Sequence, residues 1–290
     1  MGDIGKIVFP GGDWVDDLVR QALAEDVGPG DATTAISVEP GALAQGEIVS
    51  RQAGVVAGLP LLELVYGKLD PEVSVELVLK DGARVEPGSV AARLSGPAGS
   101  ILTGERVALN FLQHLGGVAS ATARYVAEVA GTRCRVLDTR KTLPGYRALA
   151  KYAVLCGGGH NHRMGLYDRV MLKDNHWSAG GDRIAAMVSR ARNEFPDLAV
   201  EVEVDTIDQL EQVLPLDVEW VLLDNFSVPD TVAAVAMRDA AADRTLLESS
   251  GNITLETIAG YARAGVDGAS VGRLTHSAGA LDLGLDLDSP

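Results

Sequence analysis

Val200-Glu201-Val202-Glu203-Val204-Asp205 is followed by a helical pattern over Ile207–Val213 and then by Trp220-Val221-Leu222-Leu223-Asp224-Asn225. The first run alternates valine with acid at period two, so in a strand the valines take one face and Glu201, Glu203 and Asp205 take the other. The second run is short, almost wholly apolar and ends in polar residues, as a strand buried on both faces does. Together they read as one strand-helix-strand unit, and the unit recurs on both sides. Apolar runs at Arg135–Leu137, Val170–Leu172, Thr245–Leu247 and Ala269–Val271 each run into small, polar or charged residues, and helical patterns at Ile184–Asn193, Thr231–Asp239 and Thr254–Ala264 fall between runs. Six buried strands with right-handed crossovers predict an α/β fold with a parallel sheet or barrel, its chemistry collected at the C-terminal strand ends. A doubly wound open sheet fits the same alternation, but no Gly-x-Gly-x-x-Gly follows a first strand, so the dinucleotide-binding version lacks support.

The charges in this region are segregated. Between Arg133 and Lys173 nine basic residues face two acids, in a chain whose net charge is −15. Arg147 and Lys151 fit an exposed helix without any ligand. Arg140, Lys141 and Lys173 directly follow apolar strands, where like charges crowd at one mouth unless an anion offsets them. A phosphate- or carboxylate-bearing substrate is the expectation. Glu203 and Asp224 stand near the ends of successive strands, where two carboxylates suit Mg²⁺ together with substrate oxygens or simply pair with Lys and Arg; spacing leaves both open. Glu248-Ser249-Ser250-Gly251-Asn252 and Ser270-Val271-Gly272-Arg273 place small residues and free backbone N–H groups after the last strands, the usual barrel position for a phosphate.

Ahead of this series the pattern is different. Trp14–Ala24 reads as an amphipathic helix with Asp13 as N-cap, and short β-like runs follow at Gly46–Arg51, Val55–Ala57, Val73–Leu79, Ala83–Val85 and Ser89–Leu94, the later ones separated by Asp81-Gly82 and Pro87-Gly88 turns. Two helices are expected next, Gly104–Leu115 closed by Gly116-Gly117 and Ala119–Ala130 closed by Gly131.

Composition excludes several classes. With 290 residues, 47% hydrophobic and 22% charged, the chain matches globular usage. Its acidity argues against nucleic-acid and anionic-membrane binding. Two cysteines make neither a disulfide framework nor a four-thiolate zinc site, and a reducing cytoplasm is the expected compartment. No 18-residue apolar run exists, and Met1–Lys6 shows neither a signal core nor the Ser or Thr of a myristoylation motif.

Three runs carry a specific resemblance: Thr139-Arg140-Lys141-Thr142-Leu143-Pro144-Gly145-Tyr146-Arg147, Gly157-Gly158-Gly159-His160-Asn161-His162-Arg163-Met164-Gly165-Leu166 and Met171-Leu172-Lys173-Asp174-Asn175-His176. With Gly30-Asp31-Ala32-Thr33-Thr34, Gly104-Glu105-Arg106, Glu201–Asp205, Leu223-Asp224-Asn225-Phe226 and Glu248–Asn252, they resemble the quinolinate phosphoribosyltransferase family over nearly the whole chain. The resemblance implies an N-terminal α/β sandwich (1–117, joined by the tail 274–290) and an incomplete, seven-stranded TIM-like α/β barrel (118–273). It implies transfer of phosphoribosyl from 5-phosphoribosyl-1-pyrophosphate to quinolinate with decarboxylation, with Mg²⁺ and no organic cofactor, in a homodimer. On matching positions, Arg140, His162, Arg163 and Lys173 would surround the quinolinate carboxylates, with Arg106 from the partner subunit. Glu203 and Asp224 would take Mg²⁺ and ribose, and Lys141 the pyrophosphate or the substrate anion. Ser250, Gly251, Asn252, Gly272 and Arg273 would cradle the 5-phosphate, with Thr139 and Val271 completing the substrate-binding set.

Two alternatives stand beside this reading: a paralogue of the same fold acting on another aromatic acid, and a non-catalytic barrel that binds a phosphorylated metabolite. Paired Arg140 and His162-Arg163 favour a dicarboxylate over a monocarboxylate. Val221–Asn225 begins like the type I phosphoribosyltransferase signature, but Asn225 replaces the second acid and no Thr-Gly follows.

Overall fold

The computed structural model describes residues 7–173, 184–241 and 244–288. They form two compact units: one holds the chain up to Ala123, Ala148–Gly158 and the tail from Ala278, the other Arg124–Arg147 and Gly159–Ser277.

In the first unit β1 (Leu43–Ser50), β3 (Ser74–Leu77), β5 (Val90–Pro97) and the C-terminal β12 (Leu283–Leu287) make an antiparallel sheet in the order β12-β1-β5-β3. A separate pair joins β2 (Gly54–Val55) to β4 (Arg84–Val85). All five strands expected before residue 98 are present. Helix Asp13–Val27 buries Val15, Val19 and Leu23, four apart on one face. Its N-cap is Gly12, without a side-chain cap bond; Asp13 sits with Asp16 in the first turn, where the helix dipole favours acids.

The two helices expected between Gly104 and Ala130 are one, Ala98–Glu128, of 31 residues. Gly116-Gly117 does not end it. A Cβ on Gly117 would stand 2.0 Å from the Gly279 carbonyl oxygen, and one on Gly116 would stand 2.7 Å from Leu281 Cδ2. These glycines let the C-terminal tail cross the helix backbone, and that close approach is what they are for. The helix Arg147–Cys156 also departs from expectation: Lys151 is fully buried, along with Leu149, Ala150, Ala153 and Val154. An apolar helix with one lysine is a core helix, not a solvated one.

The second unit carries β6 (Arg135–Leu137), β7 (Val170–Leu172), β8 (Val200–Val204), β9 (Trp220–Asp224), β10 (Leu246–Ser250) and β11 (Gly268–Ser270) in one parallel sheet. Its order, β6-β11-β10-β9-β8-β7, sets the first of these strands beside the last. All six match the apolar runs within a few residues. A further parallel bridge joins His160 to Leu137.

Register decides what each face carries. Glu203, Leu222, Glu248 and Gly268 lie level across four strands, and Glu201 lies level with Trp220 and Met171. Residues level in a parallel ladder share a face, so Glu201, Glu203, Asp224, Glu248, Ser250 and Ser270 point one way and Val200, Val202, Val204, Leu223, Leu247 and Ala269 the other. The second set packs under helices such as Ile184–Glu194 and Ile207–Val213. The latter helix opens on a capping box in which Thr206 and Gln209 exchange side-chain and backbone bonds, so the chain leaves the sheet immediately after Asp205. Asp205 is exposed, unlike Glu201 and Glu203.

Candidate active site

The C-terminal ends of β9, β10 and β11 surround a cavity of about 420 Å³. Asp224 and Asn225 line it from β9, Ser250 to Thr254 from β10, and Ser270, Gly272 and Arg273 from β11, with Thr139, Lys141 and His276 beside them. Asn225, Gly251 and Asn252 are all left-handed, with φ of 54°, 98° and 47°. Asparagine tolerates that conformation better than other side chains. Position 251 admits only glycine, because a Cβ there would lie 2.2 Å from Asn225 Oδ1. Lys141 is held by its backbone: its N–H donates to Thr139 Oγ1 at 3.1 Å and its carbonyl accepts from Thr275 Oγ1 at 2.7 Å. Among the described residues two cations, Lys141 and Arg273, thus line a cavity with one carboxylate, Asp224, which accepts from Asn225 Nδ2 at 2.8 Å. That balance suits a phosphorylated ligand.

A second group of charges is buried. His162 Nε2 lies 3.1 Å from Glu201 Oε2 and 3.4 Å from Glu248 Oε2, and Arg169 Nη1 reaches Glu201 Oε2 at 3.0 Å. Ser270 donates to Glu248 Oε1. Burial alone would push the His162 imidazole down, but hydrogen bonds and charge from Glu201 and Glu248 prevail and lift it to about 9. Glu201 resists the upward push of burial because His162 and Arg169 hold it ionised. Glu248 is pushed up by burial and by the charge of Glu201. Among the described residues its Oε2 is met by the His162 ring at 3.4 Å, a long contact carried mainly by the charge of the imidazole. Arg163 is buried too, and its guanidinium is pushed down by burial and by the like charge of Arg140. An anion between them would relieve that repulsion.

Lys173 forms an ion pair with Glu203. Part of the crowding expected at the strand ends is therefore answered inside the protein, and the pairing alternative is realised for Glu203. Arg147, assigned from sequence to a solvated face, instead bonds Thr142 Oγ1 and the carbonyls of Met164 and Arg140, tying the Arg140 loop to the loop after Arg163. Val271 is buried, and its N–H donates to the Leu137 carbonyl. Arg106 belongs to the first unit, on helix Ala98–Glu128, with its side chain 57% exposed and 3.7 Å from Glu105. Of the motif Met171–His176, Asp174-Asn175-His176 lies outside the described residues. Sequence reasoning gave no role to Asn225, His276, Arg169, Glu201 or Glu248; the one signal for the last two was an acid at an in-register strand position.

An all-parallel α/β unit with cationic loops around a cavity at its strand ends defines an anion-handling enzyme domain. Residues 31–116 match the N-terminal domain of quinolinate phosphoribosyl transferase, and residues 118–286 match its C-terminal domain. The chain belongs to this family. It is similar to the nicotinate-nucleotide pyrophosphorylase [carboxylating] of Mycobacterium leprae, with 44% identity covering 93% of this chain and 96% of that one. The quinolinate phosphoribosyltransferase [decarboxylating] 1b of Nicotiana tabacum is 38% identical, covering 94% and 82%. Among solved structures, the nicotinate-nucleotide pyrophosphorylase of Francisella tularensis superposes with a TM-score of 0.91 at 36% identity, covering 99% of both chains.

Proposed function

We propose that the chain transfers phosphoribosyl from 5-phosphoribosyl-1-pyrophosphate to the ring nitrogen of quinolinate, with decarboxylation to nicotinate mononucleotide. Pyrophosphate and CO₂ are the other products. The observation that carries this reading is that one unit of an acidic chain holds both buried Arg163 and His162 and a cavity lined by Lys141 and Arg273, linked through Ser270, which lines the cavity and donates to the Glu248 that faces His162. Quinolinate is a dianion and the sugar donor carries several more charges, so both need such a concentration of cations.

In this reading Arg140, Arg163, His162 and Lys173 hold the two carboxylates, and the Ser250–Asn252 turn with Gly272 and Arg273 holds the 5-phosphate. Departure of pyrophosphate leaves oxocarbenium-like charge on the ribose, which Glu203 and Asp224 stabilise, while Lys141 stabilises the leaving group. Ribosylation makes the ring nitrogen positive. The electron pair left as the adjacent carboxylate departs as CO₂ stays on that ring carbon, stabilised by the neighbouring positive nitrogen, and there takes a proton. Glu203 and Asp224 share a sheet face on adjacent strands and would fit Mg²⁺ with substrate oxygens completing the set, once Lys173, which pairs with Glu203 here, turns to the quinolinate carboxylate. When bound there, the ion would neutralise charge on the pyrophosphate.

The finer architecture is part of the same reading. The parallel sheet is an incomplete seven-stranded barrel, supported by the His160 bridge beside β6. The tail returns to the N-terminal domain, supported by the pairing of β12 with β1. The protein is a homodimer in which Arg106 enters the partner's site, for which its exposure leaves it available. It works in the cytoplasm: both cysteines are free and buried, and among the described residues no helix is long and apolar enough to cross a membrane. The test is to incubate the protein with both substrates and Mg²⁺ and to quantify nicotinate mononucleotide and CO₂ together. Equal yields are expected; no product from folded protein contradicts the proposal. Mixing Arg106→Ala with Lys173→Ala subunits should restore part of the activity each lacks, and no recovery after confirmed subunit exchange contradicts the shared site.

A further inference from the structure

The like charge of Arg140 disfavours the charged Arg163 guanidinium, and two cations in one site push apart the runs of chain that carry them. Residues 139–142 and 162–165 are each stiff. In the first run, Thr139 Oγ1 accepts the Lys141 N–H at 3.1 Å and the Arg140 carbonyl accepts the Thr142 N–H at 3.0 Å. In the second, four successive amides are tied: His162 to Asp138 Oδ1 at 2.9 Å, Arg163 to His162 Nδ1 at 2.7 Å, and Met164 and Gly165 to the two Asp168 oxygens at 2.6 and 2.9 Å. A stiff run still needs something to fix its distance from the other.

The runs are joined on both sides of the arginine pair. Ahead of it, Asp138 after β6 holds the His162 amide. Beyond it, Arg147 spans the gap: Nε donates to Thr142 Oγ1 at 3.2 Å and Nη2 to the Arg140 carbonyl at 3.4 Å, while Nη1 donates to the Met164 carbonyl at 3.0 Å. One edge of the guanidinium takes the first run, and Nη1 takes the second. The group is planar and rigid, so it sets a distance as well as making contacts; a lysine, with one flexible ammonium, supplies the charge without the span. All three nitrogens meet oxygens of the protein, which makes Arg147 a holder of other arginines and not an anion contact.

We propose that Arg147 is a positioning residue: it fixes the separation of Arg140 and Arg163, and so makes the site choose two adjacent carboxylates over one. This rests on the reading of Arg140 and Arg163 as contacts to the quinolinate carboxylates. A dicarboxylate answers both cations of a fixed pair, whereas a monocarboxylate leaves one of them unanswered. If the pair could separate, the repulsion would relax and the monocarboxylate would escape that penalty. The brace therefore acts on discrimination between the acids, which a residue needed only for folding would not.

The test compares wild type with Arg147→Lys in the absence of the sugar donor, by titration calorimetry with quinolinate, with nicotinate as competitor, and by amide hydrogen exchange of the unliganded protein. Kd for quinolinate should rise about tenfold or more, with Kd for nicotinate within about twofold of wild type. Exchange should quicken in residues 139–142 and 162–165 together. Thr142→Val, which removes only the acceptor of Nε, should weaken quinolinate about two- to threefold with the same selectivity trend, and it serves as the test if the lysine variant folds poorly. Equal weakening of both acids overturns the proposal, as does unchanged selectivity and exchange in folded Arg147→Lys. A wild type that binds neither acid contradicts the functional reading and takes the selectivity with it; exchange then decides the brace, supported if both runs loosen together and overturned if neither does.

Discussion

β8 is buried on both faces, and the two faces do opposite work. Val200, Val202 and Val204 are removed from water under helices, each gaining roughly 1.5–3 kcal/mol of transfer free energy. Glu201 and Glu203 are nearly as inaccessible, at 0% and 9% exposure. Their burial is unfavourable until His162, Arg169 and Lys173 compensate it. One face holds the sheet together, and the other holds charge in a fixed place at a cost to stability. Depth of burial is the same on the two sides; the partner distinguishes their functions.

Substitutions on the two faces should separate activity from stability. The largest expected effect is on the charged face: Glu203→Ala lowers kcat about 10²–10³-fold, the loss typical of one preorganised electrostatic group. Its thermal midpoint should stay close to wild type, because Lys173, 37% exposed, can return to water. A Glu203→Ala protein with near-normal kcat would break the comparison. Next, Arg163→Ala should lower kcat/KM for quinolinate by two to three orders of magnitude, in line with about 2–5 kcal/mol for truncating a buried charged group, and leave KM for the sugar donor nearly unchanged. Steady-state kinetics with each substrate varied in turn checks both parts.

Val202→Ala should behave in the opposite way. Denaturant unfolding should show a loss of about 1–3 kcal/mol, with kcat/KM at 25 °C within about twofold of wild type. The last effect concerns pH. His162 is raised above its unfolded value, so its contribution to stability is complete below about pH 6.5 and is lost as pH rises through about 9. The denaturant midpoint should therefore fall between those limits, and the fall should be shallower in His162→Gln. An equally steep fall in that variant would remove His162 as the cause.

Much of this was legible in the sequence because of double burial. Strands covered on both faces read mostly as short apolar runs, β8 showing instead as a valine–glutamate alternation, and all six runs read in the second unit are strands. The residues expected to take the 5-phosphate also come together: Ser250, Gly251, Asn252, Gly272 and Arg273 line one cavity with Thr139, Lys141 and Asp224. What stayed hidden depends on tertiary neighbours. Gly116-Gly117 has the local look of a helix stop, and only the crossing of Gly279 over Gly117 explains it. The link between Glu248 and Glu201 needs the lateral register of β8, β9 and β10, which lies 47 residues apart along the chain and leaves no local pattern. Arg147 shows the same limit: a charge on an amphipathic pattern looks solvated until the carbonyls it grips are seen.

The central claim is that the charged end of the parallel sheet is built to read two carboxylates. The direct measurement is kcat/KM for quinolinate against nicotinate, under one set of conditions with the same sugar donor and Mg²⁺. A preference for quinolinate of about 10⁴ or more is predicted, since a site with buried donors left unpaired rejects the analogue lacking the group they bind. Comparable values for the two acids would contradict the account.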